Sequence, residues 1–522
     1  MNKIDSFRLG IAGFAAAVAT LTLAGCYTPA KSEAEIAAER EARYAARYPI
    51  QDPSRRILVD GKMDDWGRNV IATADGDFVY VRFMVVNQRP TALQHGGDTL
   101  QLLLDLDGNA LTGQSRTSPT AAQGLGIDVE IQFSPASGDG KIKPGVAVNV
   151  LGNDGSSTPV SHADVDFHFA PTYASEWYEA RISRHALGRL REPVVAGDVT
   201  GDEGEPMEVA APTRLSTAGG GVFIITDARG EITGGSDQFS FQLPVLGDDG
   251  RSAITIPAKR GDVIRTMTYN VLKGSNVQNP APFARMIKAV GPDIVLFQEW
   301  DGASGDDIAR WMSSNVGGTW HAVSRPEQGV AIASRHEIIE SDDEPLMVDG
   351  ASYPVRYVGA LVRTPIRDTV AASVHLKCCG FPGSSEDQRR MAEAQAIRNR
   401  MSGLMPAWTT VRVLAGDLNL VGTEEPLNII RQGLDGDGSE MAVAFPIVLG
   451  DAAIYTWSDA GSNFSPGRLD FGLYGDANTD IINAFVLDPA RLSDATLAEH
   501  GLERGDGQAS DHRPVVMDLR PR

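Results

Sequence analysis

The sequence predicts two folded units, an all-β sandwich followed by a layered α/β domain. Three observations carry that expectation. Residues 56–245 hold many short alternating or apolar runs broken by Gly, Asp and Pro, which is how a β-sandwich reads. After residue 261, Val- and Ile-rich runs alternate with segments of helical spacing, which predicts strand, helix and strand again in packed layers. At 522 residues the chain is too long for one ordinary domain and can bury at least two cores.

In chain order, Lys3 and Arg8 precede an apolar stretch over residues 9–23, too short and too rich in Ala and Gly for a spanning helix. It ends Leu23-Ala24-Gly25-Cys26, which resembles the bacterial lipobox. That resemblance implies a signal peptide over residues 1–26, a lipidated Cys26 and anchoring at the cell envelope. Tyr27 in place of Asp implies outer-membrane sorting in a Gram-negative cell. A simple membrane anchor or a chance Cys is the alternative. Residues 27–55 are Ala, Glu, Arg and Lys with little apolar periodicity, which predicts a tether. No second stretch is long enough to cross a bilayer.

The β-sandwich is expected over residues 56–245. Its strands include Phe78-Val79-Tyr80-Val81-Arg82-Phe83, Leu100-Gln101-Leu102-Leu103-Leu104 and Trp177-Tyr178-Glu179-Ala180-Arg181-Ile182. The opening Ile57-Leu58-Val59-Asp60-Gly61-Lys62-Met63-Asp64-Asp65-Trp66 resembles the start of family-nine-type carbohydrate-binding modules and DOMON-like sandwiches. This implies a sugar- or surface-binding role; the alternative is a spacer with Trp66 in its core. Asp105-Leu106-Asp107-Gly108-Asn109 suits either a Ca²⁺ loop, by its alternate oxygens, or a plain Asp-Gly hairpin turn. Residues 246–261, with Asp, Gly, Pro and Lys, read as a linker.

The second domain is expected over residues 262–522, with helices over 282–290 and 386–401, the latter capped by Ser384 and Ser385. Arg389, Arg390, Arg398 and Arg400 fall at helical spacing and are expected on a solvated face. The net charge of −21 and a pI of about 4.9 argue against long duplex DNA, because phosphate contacts normally need a basic face. Of three Cys, only the adjacent Cys378 and Cys379 remain once Cys26 is set aside. They suit a vicinal disulfide at the rim of a site, a poor soft-metal pair, or two free thiols.

Function is written in short polar motifs, each closing an apolar run: Tyr269-Asn270, Gln298-Glu299, His375-Leu376 and Gly416-Asp417-Leu418-Asn419. Arg468-Leu469-Asp470 and Ser510-Asp511-His512 complete the set. Strand ends on a rigid scaffold can gather such groups in one crevice. Acids, amides and imidazoles together suit a hard divalent cation, a held phosphate and an activated water.

These motifs, with Gly329-Val330-Ala331-Ile332-Ala333-Ser334-Arg335, resemble the endonuclease/exonuclease/phosphatase superfamily over about half the chain. The resemblance implies the four-layered DNase I-like α/β sandwich and a Mg²⁺-dependent phosphoric ester hydrolase (Mn²⁺ as an alternative ion). It implies Glu299 and Asp511 as metal ligands, with Asn270 on the metal or phosphate. Asp417 and Asn419 align water and phosphate, and His512 contacts the scissile phosphate or the attacking water. His375 is expected to protonate the leaving oxygen. Asp470 orients either His375 or His512, and Arg356 is a phosphate contact or a plain surface residue. The expected substrate is a phosphoester: nucleic acid, a phospholipid head group as in sphingomyelinase-like members, or a sugar phosphate. The competing reading is a lipid-anchored surface binding protein with a degenerate catalytic half.

Overall fold

The computed structural model describes residues 57–85, 90–137, 139–186, 218–247, 254–404 and 410–522. The lipobox-like segment and the tether lie outside them. Among the described residues, no helix is long and apolar enough to cross a membrane.

The first unit is two antiparallel sheets face to face. One runs Ala72–Ala74, Phe78–Met84, Trp177–Ser183 and His168–Ala170 in spatial order. The other is built around Ala218–Thr226, Thr99–Asp105, Val129–Phe133 and Val146–Leu151. Apolar residues at alternate positions, among them Val79, Val81 and Phe83, meet Leu100, Leu102 and Leu104 in one shared core. Each such side chain, moved out of water, contributes roughly 1.5–3 kcal/mol.

The motif around Trp66 is structural. Glu179 is fully buried and accepts from the backbone of Asp60 at 2.7 Å and Gly61 at 2.6 Å, and from Trp66 Nε1 at 2.7 Å. Trp66 is therefore a core residue tied to a buried acid and offers no open face to a sugar. Asp105-Leu106-Asp107-Gly108 makes no hairpin either. The strand ending at Asp105 pairs with Val129–Phe133 and Ala218–Thr226, while the next strand, Gln114–Ser115, pairs with Gly126–Ile127. Asp128 closes the loop instead, accepting from Leu106 N at 2.7 Å.

The second unit holds two further sheets, of seven and six strands. The first runs His321–Arg325, Val330–Ser334, Ile294–Gln298, Ile264–Asn270, Val515–Pro521, Thr479–Val486 and Ile447–Val448. The second runs Ile338–Asp342, Arg356–Val362, Thr369–His375, Val411–Asp417, Asp470–Tyr474 and Ala442–Val443. Leu296 and Ile332 of one pack on Val358, Ala371 and Val413 of the other. The helix Pro280–Val290 covers the outer face of the first sheet and Ser385–Leu404 that of the second. Strands covered on both faces must be apolar throughout, which explains their unbroken Val/Ile runs.

Ser384 is the cap of the long helix, its hydroxyl accepting from Asp387 N at 3.2 Å, while Ser385 is the first helical residue. The expected solvated Arg face is not one. Arg390 is fully buried, donating to the carbonyls of Lys377 and Cys379 and to Asp387. Arg400 pairs with Asp342 on the neighbouring strand. Helical spacing alone could not show that this face meets the loop after His375.

Candidate functional site

Register brings the motifs together. Ile264–Asn270 and Ile294–Gln298 run parallel, with Asn270 opposite Gln298. In the facing sheet Arg356 lies opposite His375, His375 beside Asp417, and Asp417 opposite Asp470. The two rows lie at the same edge of the packed sheets, as the contact of Asn270 with Asp417 shows: Asn270 Nδ2 donates to Asp417 Oδ2 at 3.3 Å and to Glu299 Oε1 at 3.1 Å. Gly416 is required here, since a Cβ would collide with the Val374 carbonyl oxygen. Glu299 and Asn419 have φ of 59° and 48°. For non-glycine residues such backbone costs about 1–3 kcal/mol and persists where surroundings enforce it, often at functional sites.

Glu299 Oε1, His375 Nε2 and an Asp417 oxygen are close enough to share one cation. His375 Nε2 is 3.3 Å from Asp417 Oδ2 and 4.0 Å from Glu299 Oε1. Asp417 Oδ1 accepts from Asn419 N at 2.9 Å, and Asn419 Nδ2 donates to the Leu376 carbonyl at 3.2 Å. Asp470 serves His512, not His375: its Oδ2 lies 2.7 Å from His512 Nδ1. That bond leaves His512 Nε2 directed inward, 3.7 Å from Asp417 Oδ2. Asp511 Oδ2 accepts from Trp457 Nε1 at 3.0 Å, while its buried Oδ1 has no partner among the described residues.

The two imidazoles differ in charge. Burial, then the nearby positive Arg356 and His512, hold His375 well below the usual histidine range, so it is neutral. Burial opposes charge on His512 too, but Asp470 and Asp417 outweigh it and raise the ring to about 10. Burial lifts Asp417 to about 7, with His512 opposing. His512 is thus the protonated ring of the two. Arg356 lies at the end of its strand beside His375. Its guanidinium donates to the carbonyls of His375 at 3.1 Å and Leu376 at 2.7 Å, and so fixes the strand end.

Two residues escaped the sequence reading. Thr456 Oγ1 accepts from the amides of Leu469 at 3.0 Å and Asp470 at 2.9 Å. Trp457 holds Asp511 and forms a β-bridge with His512. Both follow the short apolar run Ala452-Ala453-Ile454-Tyr455, but neither is the acid, amide or imidazole by which the other motifs were recognised. The segment that carries them is gripped by the β-sandwich: Ser465 N donates to Gln94 Oε1 at 2.8 Å and Arg468 N to Thr172 Oγ1 at 2.9 Å. Ser510 has a clear role as well, its hydroxyl donating to the Asn270 carbonyl at 2.8 Å.

Residues 267–512 match the model of the Endonuclease/Exonuclease/phosphatase family. The second domain is DNase I-like. Solved structures similar to the chain include mannosyl-6-phosphatase of Bacteroides thetaiotaomicron, 16% identical over 49% of this chain and 99% of that one, with a TM-score of 0.36. TDP2 of D. rerio, complexed with a single-strand DNA product, is 15% identical over 49% and 98%, at a TM-score of 0.34. Sphingomyelinase C of Streptomyces griseocarneus is 15% identical over 49% and 99%, also at 0.34. No curated protein matches the chain.

The donor set of the DNase I-like domain fits a hard divalent cation. The carboxylates of Glu299 and Asp417 converge with no Lys or Arg side chain among their hydrogen-bond partners in the described residues, and the buried Asp511 Oδ1, partnerless among them, is the kind of atom an ion would satisfy. Glu299, with Asp417 and His375, would hold it, and Asp511, expected as a ligand, lies outside that group. Asn270 Oδ1 is engaged by Leu272 N at 3.0 Å, which leaves its amide nitrogen facing the acids.

Proposed function

We propose that this protein is a divalent-metal-dependent phosphoesterase held at the bacterial cell envelope. The observation that supports this reading most is the pairing of a charged imidazole, His512 on Asp470, with a carboxylate of near-neutral pKa, Asp417, beside the acceptor oxygens of Glu299. Bound Mg²⁺ or Mn²⁺ would offset charge on the phosphoryl oxygens and the leaving group.

The residues then divide the work. Asp417 accepts a proton from the attacking water as its oxygen bonds to phosphorus. Asn419, fixed by Leu376, lines the same spot. The phosphorus–leaving-oxygen bond breaks, and His512 supplies the proton that the departing oxygen takes up. Asp470 holds the ring tautomer and stabilises its charge. No covalent enzyme intermediate is needed.

The test uses the chain beginning after Cys26 and bis(p-nitrophenyl) phosphate, with Mg²⁺, Mn²⁺ or EDTA. Turnover abolished by EDTA and reduced at least about 100-fold in both Glu299→Gln and His512→Gln is the expected result. EDTA-resistant turnover, or variants as active as the wild type, would sink it. The Leu23-Ala24-Gly25-Cys26 pattern supports the anchor. Incorporation of labelled palmitate by the full chain, abolished in Cys26→Ser, tests that part.

A further inference from the structure

The turn that leaves His375 carries two cysteines that the catalytic reading does not use. Lys377, Cys378 and Cys379 lie between the strand Thr369–His375 and the helix Ser385–Leu404. Side chains around this turn pin its backbone. Asn419 Nδ2 donates to the Leu376 carbonyl at 3.2 Å, and Lys377 N donates to Glu393 Oε2 at 2.7 Å. The buried Arg390 donates to the carbonyls of Lys377 at 2.9 Å and Cys379 at 2.6 Å. Cys379 has a φ of 71°. That is the left-handed region, which a non-glycine residue holds where its surroundings enforce it.

The pinned backbone turns the two side chains toward each other. Neighbours on an extended chain point to opposite faces, yet here Cys379 Sγ donates to Cys378 Sγ at 3.0 Å. Both thiols are free; Cys379 is exposed and Cys378 half-buried, so a small reagent can reach the pair. Neither thiol joins a group of three metal-ligating side chains among the described residues, which leaves nothing to complete a soft-metal site. Cys378 Sγ also accepts from Lys377 Nζ at 3.6 Å, so a negative charge on that sulfur meets two donors. Burial, then the bond to Cys378, pushes the Cys379 thiol up to about 11. At neutral pH Cys379 is the partner that keeps its proton.

We propose that Cys378 and Cys379 form a reversible dithiol–disulfide site beside the catalytic strand end, closed by exchange with a disulfide such as oxidised glutathione. Cys378 Sγ, as the thiolate, attacks one sulfur of the incoming disulfide; a mixed disulfide forms and one thiolate leaves. Cys379 Sγ then attacks the Cys378 sulfur, the mixed bond breaks and the second thiolate leaves. The two thiol protons pass to the released thiolates, so the protein is oxidised by two electrons and the reagent is reduced to two thiols. Adjacent Cα atoms are about 3.8 Å apart, below the usual disulfide span of about 4.4–6.8 Å. The closed ring is therefore strained, and strained disulfides are the readily reduced ones. The site stands independently of the reaction proposed above.

The experiment treats the folded chain beginning after Cys26, which keeps only these two cysteines, with oxidised glutathione at about pH 8.5, near the ordinary thiol value. Thiol titration should fall from two per chain to none. Mass spectrometry of the peptide that holds Cys378 and Cys379 should show the loss of two hydrogens with no glutathione retained, and dithiothreitol should restore both thiols. Cys379→Ser should keep glutathione on Cys378, because the resolving sulfur is gone. Cys378→Ser should take up glutathione at least about fivefold more slowly than Cys379→Ser, because the better-placed thiolate is missing. Thiols that stay free in the wild type, glutathione retained on it, or chains cross-linked on a non-reducing gel would overturn the site. Equal rates in the two serine variants would overturn Cys378 as the attacking sulfur.

Discussion

At the scale of residues, the distribution of charge around Asp417 decides the chemistry. Asp417 at about 7 and His512 at about 10 predict a pH–rate profile that rises through the first value and falls through the second. The signs follow from the roles: the base must be deprotonated and the acid protonated. The two values belong to a coupled pair and are read as apparent constants. A cation bound beside Asp417 moves the acid limb lower. Asp470→Asn removes the anion that keeps His512 charged, so the alkaline limb should move down and kcat should fall roughly 100-fold or more. An alkaline limb unmoved in Asp470→Asn would show that another group sets it.

Asp417 was visible in the sequence because it closes an apolar run, and Asp470 and His512 because they complete the Arg-Leu-Asp and Ser-Asp-His motifs. Their pairing was not. Asp470 could have faced either imidazole until strand register placed it opposite Asp417 and next to His512. Arg356 had the right charge and spacing for a phosphate contact, yet its guanidinium ties down two backbone carbonyls. Arg356→Lys would keep the charge but lose the two-carbonyl fork. It should lower stability by about 1–2 kcal/mol, measured by urea unfolding.

At the scale of elements, the segment from Thr456 to Arg468 joins the two domains' interests. Gln94 and Thr172 hold it from the sandwich side, and Thr456 and Trp457 hold Asp470 and Asp511 from the other end. Thr172→Val combined with Gln94→Leu should therefore lower kcat about tenfold with little change in KM, and Thr172→Ser should restore most of it. Amide exchange at Leu469 and Asp470 should speed up in the double variant, since Thr456 would lose its fixed position. Unchanged exchange would mean that the segment holds itself. Strand and helix elements were largely legible, because buried strands and the amphipathic helix Pro280–Val290 leave their periods in the sequence. The helix Ser385–Leu404 was also found, but its Arg face was misread. A buried Arg bonded to carbonyls gives the same spacing as a solvated one.

At the scale of the whole molecule, the domains meet through a buried ionic cluster. Arg181 is fully buried and pairs with Asp451 across the boundary. Arg491 Nη2 reaches Asp166 Oδ1 at 2.6 Å, and His168 Nε2 lies 2.8 Å from the same oxygen. Removing one member of such a cluster leaves an uncompensated buried charge, so Asp451→Asn should cost about 3–5 kcal/mol and loosen both domains together. Differential scanning calorimetry checks this. Wild type should melt as one unit, and the variant should separate into two transitions.

Burial, then the positive Arg181, lowers His168 to about 4. The unfolded ring titrates near the ordinary histidine value of about 6.5. The folded state thus binds its proton later, so this stability is present above about pH 6.5 and is lost as pH falls toward 4, roughly 3 kcal/mol in all. His168→Phe should flatten the acid side of the stability curve.

The sequence by itself determined the order of the two units, the strand periods and the kinds of side chain that end up at the site, because hydrophobic period and residue chemistry are local properties. Tertiary structure decided which carboxylate serves which imidazole, that Trp66 is a core residue, and that the sandwich grips the segment leading to Asp470. Those outcomes depend on register and on contacts between residues hundreds of positions apart, such as Thr172 with Arg468. No local pattern encodes such a contact, since its energy exists only once both surfaces have folded.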